Sequence, residues 1–168
     1  RGLAARAQAW PNRVVRIIVP FAPGGPTDTI ARVVADRLAK TWGQQVVIEN
    51  RSGAGTNIGA EIAARSDPDG YTIFMGGATM AVNRNFYRTL SYDPVADFAP
   101  VTLLVNFSFF MFVPNSSPAR SVKEFIAFAE QNKGKVTFAS PGTGSAPHLC
   151  GELFRQTAGI EMTHVPYR

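Results

Sequence analysis

The sequence predicts an α/β fold built on parallel sheets. Short runs rich in β-branched residues, at 14–20, 46–48, 71–75 and 136–139, alternate with segments whose apolar residues recur at helical spacing. Loops rich in Gly, Pro, Ser or Thr follow these strand ends and precede the helices. Strands and helices alternating in this way imply a parallel sheet with helices on both faces.

In chain order, residues 14–20 (VVRIIVP) read as a buried strand bounded by Pro and Gly. Residues 21–28 form a loop with Pro23, Gly24, Gly25 and Pro26. Ile30, Val33, Val34 and Leu38 then mark the apolar face of a helix, with Arg37 at its border and Thr27 or Asp28 as its N-cap. Residues 46–48 are a second strand and 49–55 a turn region. Ile58, Ile62 and Ala63 mark a short helix ending near Ser66. Asp67-Pro68-Asp69-Gly70 is a turn, and 71–75 a third strand. After Gly76-Gly77-Ala78-Thr79 a helix runs to Phe86.

The rhythm changes after Leu90. Two strand-like runs, 101–105 and 108–113, follow one another with almost nothing between them, and mark a crossing from one lobe to another. Ser121 caps a helix with Glu124 at the capping-box position and Val122, Phe125, Ile126 and Ala129 on its apolar face. Lys133-Gly134-Lys135 ends it. Residues 136–139 are a strand, 140–147 a loop, and 148–158 a helix with Leu149, Leu153 and Phe154 inward. Residues 162–167 begin another strand, whose edge has no continuation, so a longer chain is expected. The expected organisation is therefore residues 1–9 as a signal-peptide remnant, 10–100 as a first α/β lobe, and 101–168 as the hinge crossing with an incomplete second lobe. The remnant rests on Ala7-Gln8-Ala9, the A-x-A pattern of a cleavage site, with a frayed Ala-rich terminus as the alternative.

Composition narrows the function. The chain is 45% hydrophobic and 17% charged, as globular proteins are. Its net charge of +5 is scattered, without the clustered bases of a nucleic-acid binder or the basic amphipathic face of a membrane-surface helix. No apolar stretch approaches the ~18 residues of a membrane span. Cys150 has no internal partner and reads as a small buried apolar side chain. His148 and His164 lack metal-ligand spacing.

Loops 21–28, 50–59, 76–79 and 140–148 each join a strand end to a helix start, where open α/β sheets bind ligands. Helix-start N–H groups and the macrodipole favour an anion there, and glycines allow close backbone approach. The chemistry implied is capture of a carboxylate or phosphate by main-chain donors, with the hydroxyls of Thr27, Thr79, Thr143 and Ser145 beside them. For any single loop, a tight turn explains the glycines as well. Gly53-Ala54-Gly55-Thr56-Asn57-Ile58-Gly59 is one residue too long for a dinucleotide fingerprint, and no P-loop lysine follows a glycine run. Thr143 and Pro147 stand where a nucleophile elbow around Ser145 needs glycines, so Ser145 is better read as an N-cap and His148 as a first-turn polar residue. Asp28 reads as a helix cap before it reads as a base.

These segments together resemble a known family. Residues 10–21 with Pro23-Gly24-Gly25 and Asp28, the run from Glu49-Asn50-Arg51 to Asn57-Ile58-Gly59, Asp67-Pro68-Asp69-Gly70-Tyr71-Thr72, Gly142-Thr143-Gly144-Ser145 with His148-Leu149, and His164-Val165-Pro166-Tyr167 are similar to the motifs of the Bug family. These are periplasmic substrate-binding proteins of tripartite tricarboxylate transporters. Position 56 is Thr, where a third glycine is common in the family. The resemblance implies a two-lobed type II periplasmic-binding-protein fold, no enzymatic activity and no cofactor. It implies a small carboxylate ligand (a di- or tricarboxylate, an amino acid or an aromatic acid), delivery to membrane transporter components, and a monomeric full-length protein. By resemblance, Phe21, Ala22, Pro23, Gly24, Gly25, Thr27 and Asp28 grip a carboxylate through backbone groups and ordered water. Gly77, Ala78 and Thr79 lie beside them, and Ser140, Thr143, Ser145 and His148 face them across a cleft. A ligand-sensing domain reporting to a signalling partner is the alternative, and a hydrolase or dehydrogenase a third.

Overall fold

The computed structural model describes residues 10–167; the expected cleavage site lies outside them. The chain divides into two compact units, Arg1–Ala99 and Pro100–Arg168.

The first unit holds β1 (Val15–Val19), α1 (Pro26–Trp42), β2 (Val46–Asn50), α2 (Asn57–Ala64), β3 (Thr72–Phe74) and α3 (Thr79–Phe86). Its strands are all parallel, in the order β2-β1-β3. β1 is therefore paired on both sides, which suits its composition: Val15, Ile18 and Val19 are fully buried. Each such side chain contributes about 1.5–3 kcal/mol relative to exposure. The chain leaves β1 in one direction through α1 and returns across it through α2. Right-handed crossovers in opposite directions put these helices on opposite faces. Ile17 and Val19 pack with Ala31 and Ala35 of α1. Arg16, turned to the other face by strand alternation, donates to Ser66 just past α2.

Four local expectations need correction. The N-cap of α1 is Gly25, with Pro26 in the first turn, so neither Thr27 nor Asp28 caps it. Proline at the helix start forfeits only an N–H that has no intrahelical acceptor. The buried stripe of α1 runs through Asp28, Ala31 and Ala35, while Val33 is 66% exposed. Small residues let this helix approach the sheet closely, and Val33 lies on the other side of the resulting stripe. On α2 the buried positions are Gly59 and Ala60, and Ile58 is exposed. A Cβ at Gly59 would stand 2.9 Å from both the Arg51 carbonyl oxygen and the Pro20 Cβ. The fourth correction concerns 101–113. No strand forms there; residues 101–112 are exposed, with Val101 at 88% and Phe112 at 87%. Apolar composition suits a strand, but a strand exists only through a ladder partner. The two strands that form in the second unit, Thr137–Ser140 and Thr163–Pro166, pair with each other instead.

The second unit contains α4 (Val122–Gln131), β4 (Thr137–Ser140), α5 (Ala146–Ala158) and β5 (Thr163–Pro166). β4, α5 and β5 form one parallel βαβ unit. Ser121 caps α4 by accepting the Glu124 N–H at 3.2 Å, and the Glu124 carboxylate reaches back to the Arg120 N–H. Ala119, Phe125, Ala129, Val136 and Ile160 make the core, with Ile126 and Phe154 packed against it. α5 begins at Ala146, so Pro147 belongs to its first turn rather than to the loop. Val122 and Leu153 are exposed. Cys150 is exposed too, against expectation. His148 is the buried residue of α5, and two residues along a helix is a turn of roughly 200°, which points Cys150 away.

Candidate functional site

Because β1, β2 and β3 are parallel, the loops that follow them meet at one edge of the sheet. Strand order reverses at β1, the topological position where open α/β sheets bind ligands. The loop after β1 is held by Asp28, only 2% exposed. Its Oδ2 accepts the Gly24 N–H at 2.8 Å and Arg32 Nε at 2.9 Å. Its Oδ1 accepts Asn50 Nδ2 at 2.8 Å and Arg32 Nη2 at 3.1 Å. Asn50 Nδ2 also donates to the Phe21 carbonyl at 3.1 Å. Asn50 is within reach because parallel register sets it beside Val19 at the end of β1. The Arg32 hydrogen bonds, then the Gly24 N–H and Asn50, pull the Asp28 pKa down to about 2 against the opposing effect of burial. Asp28 is thus an ionised latch with both oxygens engaged and its charge balanced by Arg32.

Ala22, Pro23 and Gly24 are exposed, while Phe21, Gly25 and Thr27 are half-buried. Gly77 and Ala78 are exposed in the loop after β3, and the Phe21 ring lies 4.0 Å from where a Cβ of Gly77 would be. Thr79 is buried, its Oγ1 3.1 Å from Oγ1 of Thr56. Thr56 closes a turn in which Gly53, Ala54, Gly55 and Thr56 have φ of +125°, +46°, +61° and +82°. α3 borders this turn. Asn83 Nδ2 donates to the Gly55 carbonyl at 3.3 Å and to Asn57 Oδ1 at 2.6 Å, and the Tyr92 hydroxyl donates to Asn57 Oδ1 at 2.7 Å.

Ser140, Thr143, Ser145 and His148 come together at the loop between β4 and α5 in the second unit. Ser145 is the N-cap of α5, as expected, its hydroxyl oxygen facing the His148 N–H and its proton going to the Gly142 carbonyl at 2.7 Å. His148 Nδ1 accepts the Gly144 N–H at 3.1 Å, which places the proton of the neutral ring on Nε2. Thr143 is exposed. The imidazoles of His148 and His164 stack with centroids 3.9 Å apart, and Phe138 lies against His164 at 5.0 Å. Ser140 Oγ is 2.7 Å from His164 Nε2, but this hydroxyl is buried and already engaged with the Gly142 N–H and carbonyl. Among the described residues no group of His, Cys, Asp or Glu could hold a metal ion, and no helix is long and apolar enough to cross a membrane.

Burial first, then the neighbouring His148, pulls the His164 pKa down, partly offset by Glu152. A histidine depressed in the folded state stabilises the fold above its unfolded pKa of about 6.5 and loses that contribution as pH falls below it. Thermal denaturation from pH 7.5 to pH 5 is expected to show a falling midpoint for the second unit, flattened in His164→Phe. An unchanged slope in the variant would assign the titration elsewhere.

Residues 30–168 match the model of the tripartite tricarboxylate transporter family receptor, TctC. The chain belongs to the TctC family. This TctC chain is 42% identical to "R. palustris Rpa4515 with adipate", covering 94% of this chain and 53% of that one with a TM-score of 0.88. It is 34% identical to MatC from Rhodopseudomonas palustris with bound malate, covering 94% and 54%, TM-score 0.76. With the periplasmic binding protein BugD the values are 34% identity, 94% and 53% coverage and a TM-score of 0.77. The fold class is therefore that of these periplasmic binding proteins, as the motifs led one to expect. The chain spans about half the length of the curated relatives it matches. One is a UPF0065 protein of Pseudomonas sp. (strain P51), 39% identical over 165 residues that cover 98% of this chain and 49% of that one.

Sequence reasoning missed Arg32, Asn83 and Tyr92, and it named Asn50, Thr56 and His164 only as parts of a loop or motif, not for the contacts they make. Asn50 carries a readable clue, a polar side chain at the end of a strand that parallel pairing brings beside the first loop.

Proposed function

We propose that the full-length protein is a periplasmic receptor that captures a small organic dicarboxylate and hands it to a tripartite tricarboxylate transporter. The observation that carries this reading is the TctC match, joined to solved structures of 42% and 34% identity that hold adipate and malate. The geometry supports it: the loops after β1 and β3 bring backbone donors and small residues to the switch-point edge, and the only carboxylate among them is latched. In this reading main-chain N–H groups of Ala22, Gly25, Thr27 and residues 77–79 take one carboxylate of the ligand; Pro23 and Pro26 have no N–H, and that of Gly24 is held by Asp28. Thr143, Ser145 and His148 keep the recognition role that the family resemblance assigns to their loop, while the Ser140 hydroxyl, engaged with Gly142 and His164, braces it. Neither cofactor nor chemical turnover is part of the proposal.

The test is calorimetric titration of the full-length protein with adipate and malate, alongside Gly25→Val. Gly25 has φ −74°, and a Cβ there would sit 3.7 Å from the Ala22 carbonyl oxygen, so the backbone accepts a side chain. The bulk would still crowd the loop surface. Losing one or two charge-assisted hydrogen bonds at about 1.5–3 kcal/mol each predicts affinity at least roughly tenfold weaker. Unchanged affinity in the variant would remove this loop from the site. Absence of binding by any small dicarboxylate would overturn the function.

A further inference from the structure

We propose that Thr56 is a positioning residue for carboxylate capture, acting through the hydroxyl of Thr79; the inference rests on the reading that the first unit's loop edge receives a carboxylate. The starting observation is backbone conformation. Thr56 is a buried, β-branched residue at φ +82°, and it follows Ala54 and Gly55 in the same left-handed region. Such residues ordinarily avoid this region, and successive left-handed residues are rarer still. Strain of this kind persists only where surrounding contacts enforce it.

Those contacts come from α3 and its C-cap. Thr79 and Asn83 lie four apart on one side of the helix, and Tyr87, the extended C-cap that follows Phe86, comes four residues later. Thr79 Oγ1 meets Thr56 Oγ1 at 3.1 Å. Asn83 holds the Gly55 carbonyl and the Asn57 side chain. The Tyr87 hydroxyl packs so closely on Gly55 that a Cβ there would be 2.5 Å away. The turn is thus splinted at each of its last residues, and the loop after β2 is tied to the start of α3, directly after Gly77 and Ala78.

Hydrogen-bond arithmetic gives the tie its chemical meaning. Two threonine hydroxyls carry two protons between them, and one hydrogen bond joins them. One O–H donor therefore remains to the pair. With Thr56 donating, its oxygen partner on Thr79 is oriented and the Thr79 proton is available to an acceptor at the loop edge. A ligand carboxylate is such an acceptor, and an ionised one strengthens the bond. Either hydroxyl can be the donor of this bond; in the arrangement proposed, Thr56 donates and so sets the direction in which Thr79 donates.

The experiment uses the full-length protein, with adipate and malate as probes, and reads both the dissociation constant and the melting temperature. Thr56→Gly suits φ +82° without strain, so the melting temperature is expected to hold or rise. Affinity is expected to fall roughly tenfold, because the Thr79 hydroxyl is no longer held by Thr56 in its orientation toward the charged group. Thr56→Ser restores the hydroxyl and is expected to restore affinity. Thr79→Val is expected to lose affinity to the same extent, and the double variant Thr56→Gly/Thr79→Val no more than either alone, since both remove one interaction. Wild-type binding combined with unchanged affinity in Thr56→Gly overturns the inference alone. Affinity and melting temperature falling together in Thr56→Gly also overturn it, because that is the mark of a purely structural residue. Failure of the unaltered protein to bind either acid overturns this inference together with the proposed function.

Discussion

Asp28→Ala is expected to weaken dicarboxylate binding by the full-length protein at least roughly tenfold and to lower the melting temperature by roughly 5–10 °C. The substitution strips the acceptor from the Gly24 N–H, from Asn50 Nδ2 and from both donating nitrogens of Arg32. Asn50 Nδ2 keeps the Phe21 carbonyl and Arg32 reaches solvent, so the loss is that of the charge-assisted bonds that fix the loop. The loop of residues 21–25 then has no tie to its own helix through Gly24, and its backbone donors are no longer held at one point. The acid limb of the stability profile checks the same latch independently. Asp28 titrates at about 2 in the folded protein, against 3.8 without these partners. A depressed carboxylate contributes stability that is complete above the unfolded pKa and disappears as pH descends through the folded one. Wild-type protein should therefore lose an increment of stability between about pH 4 and pH 2 that Asp28→Asn lacks. A variant with wild-type affinity and an unchanged acid limb would show that the latch has no part in binding or in folding.

The largest effect on stability is expected from Gly59→Ala. In an exposed helix this change would be favourable by about 1 kcal/mol. Here the new Cβ would stand 2.9 Å from the Arg51 carbonyl oxygen, 2.9 Å from the Pro20 Cβ and 3.2 Å from the Pro20 Cα. Two of these atoms belong to backbone and the third to a rigid ring, so nothing can swing aside. α2 must lift from the end of β1, and overpacking of this kind costs about 1–3 kcal/mol. The lift also moves the 53–56 turn that leads into α2. Chemical denaturation of the variant should show a lower midpoint with an unchanged slope. A stabilised variant would mean that α2 has room to spare against the sheet.

The alternation of strands and helices was legible because β-branched runs and loop residues are local signals. The family was legible because its motifs are contiguous. What could not be read is whatever depends on a partner distant in sequence. Residues 101–113 have the composition of strands, yet composition does not supply a ladder partner. Val33 and Cys150 have apolar or small side chains, but the rotation of each helix was set by Ala31, Ala35 and His148, which pack more closely. The role of Asp28 changed from cap to latch because Pro26 moved the helix start back and parallel register brought Asn50 into reach. The threonine at 56 does not itself announce a positive φ; the only clue is the glycine that is common in the family at that position, and the splint on α3 holds the turn. His164 stacks on His148 only after a βαβ unit has closed.

Placing the earliest strand at the centre of the sheet has a consequence for synthesis. β1 emerges before the other strands of its sheet but remains half-paired until β3 appears. Its second ladder closes across the 56 positions that separate Arg16 from its hydrogen-bonded partner Thr72. Contacts at such separations make nucleation slow, because loop-closure entropy comes before any reward. Later in the unit Tyr92 ties to Asn57, and the ring of Phe98 lies 5.5 Å from that of Phe74. All of them precede the boundary at Ala99. The first unit can thus reach its native pairing while the remainder of the chain is still being made, and N-terminal units that fold in this order spare the nascent chain a long wait with apolar strands exposed.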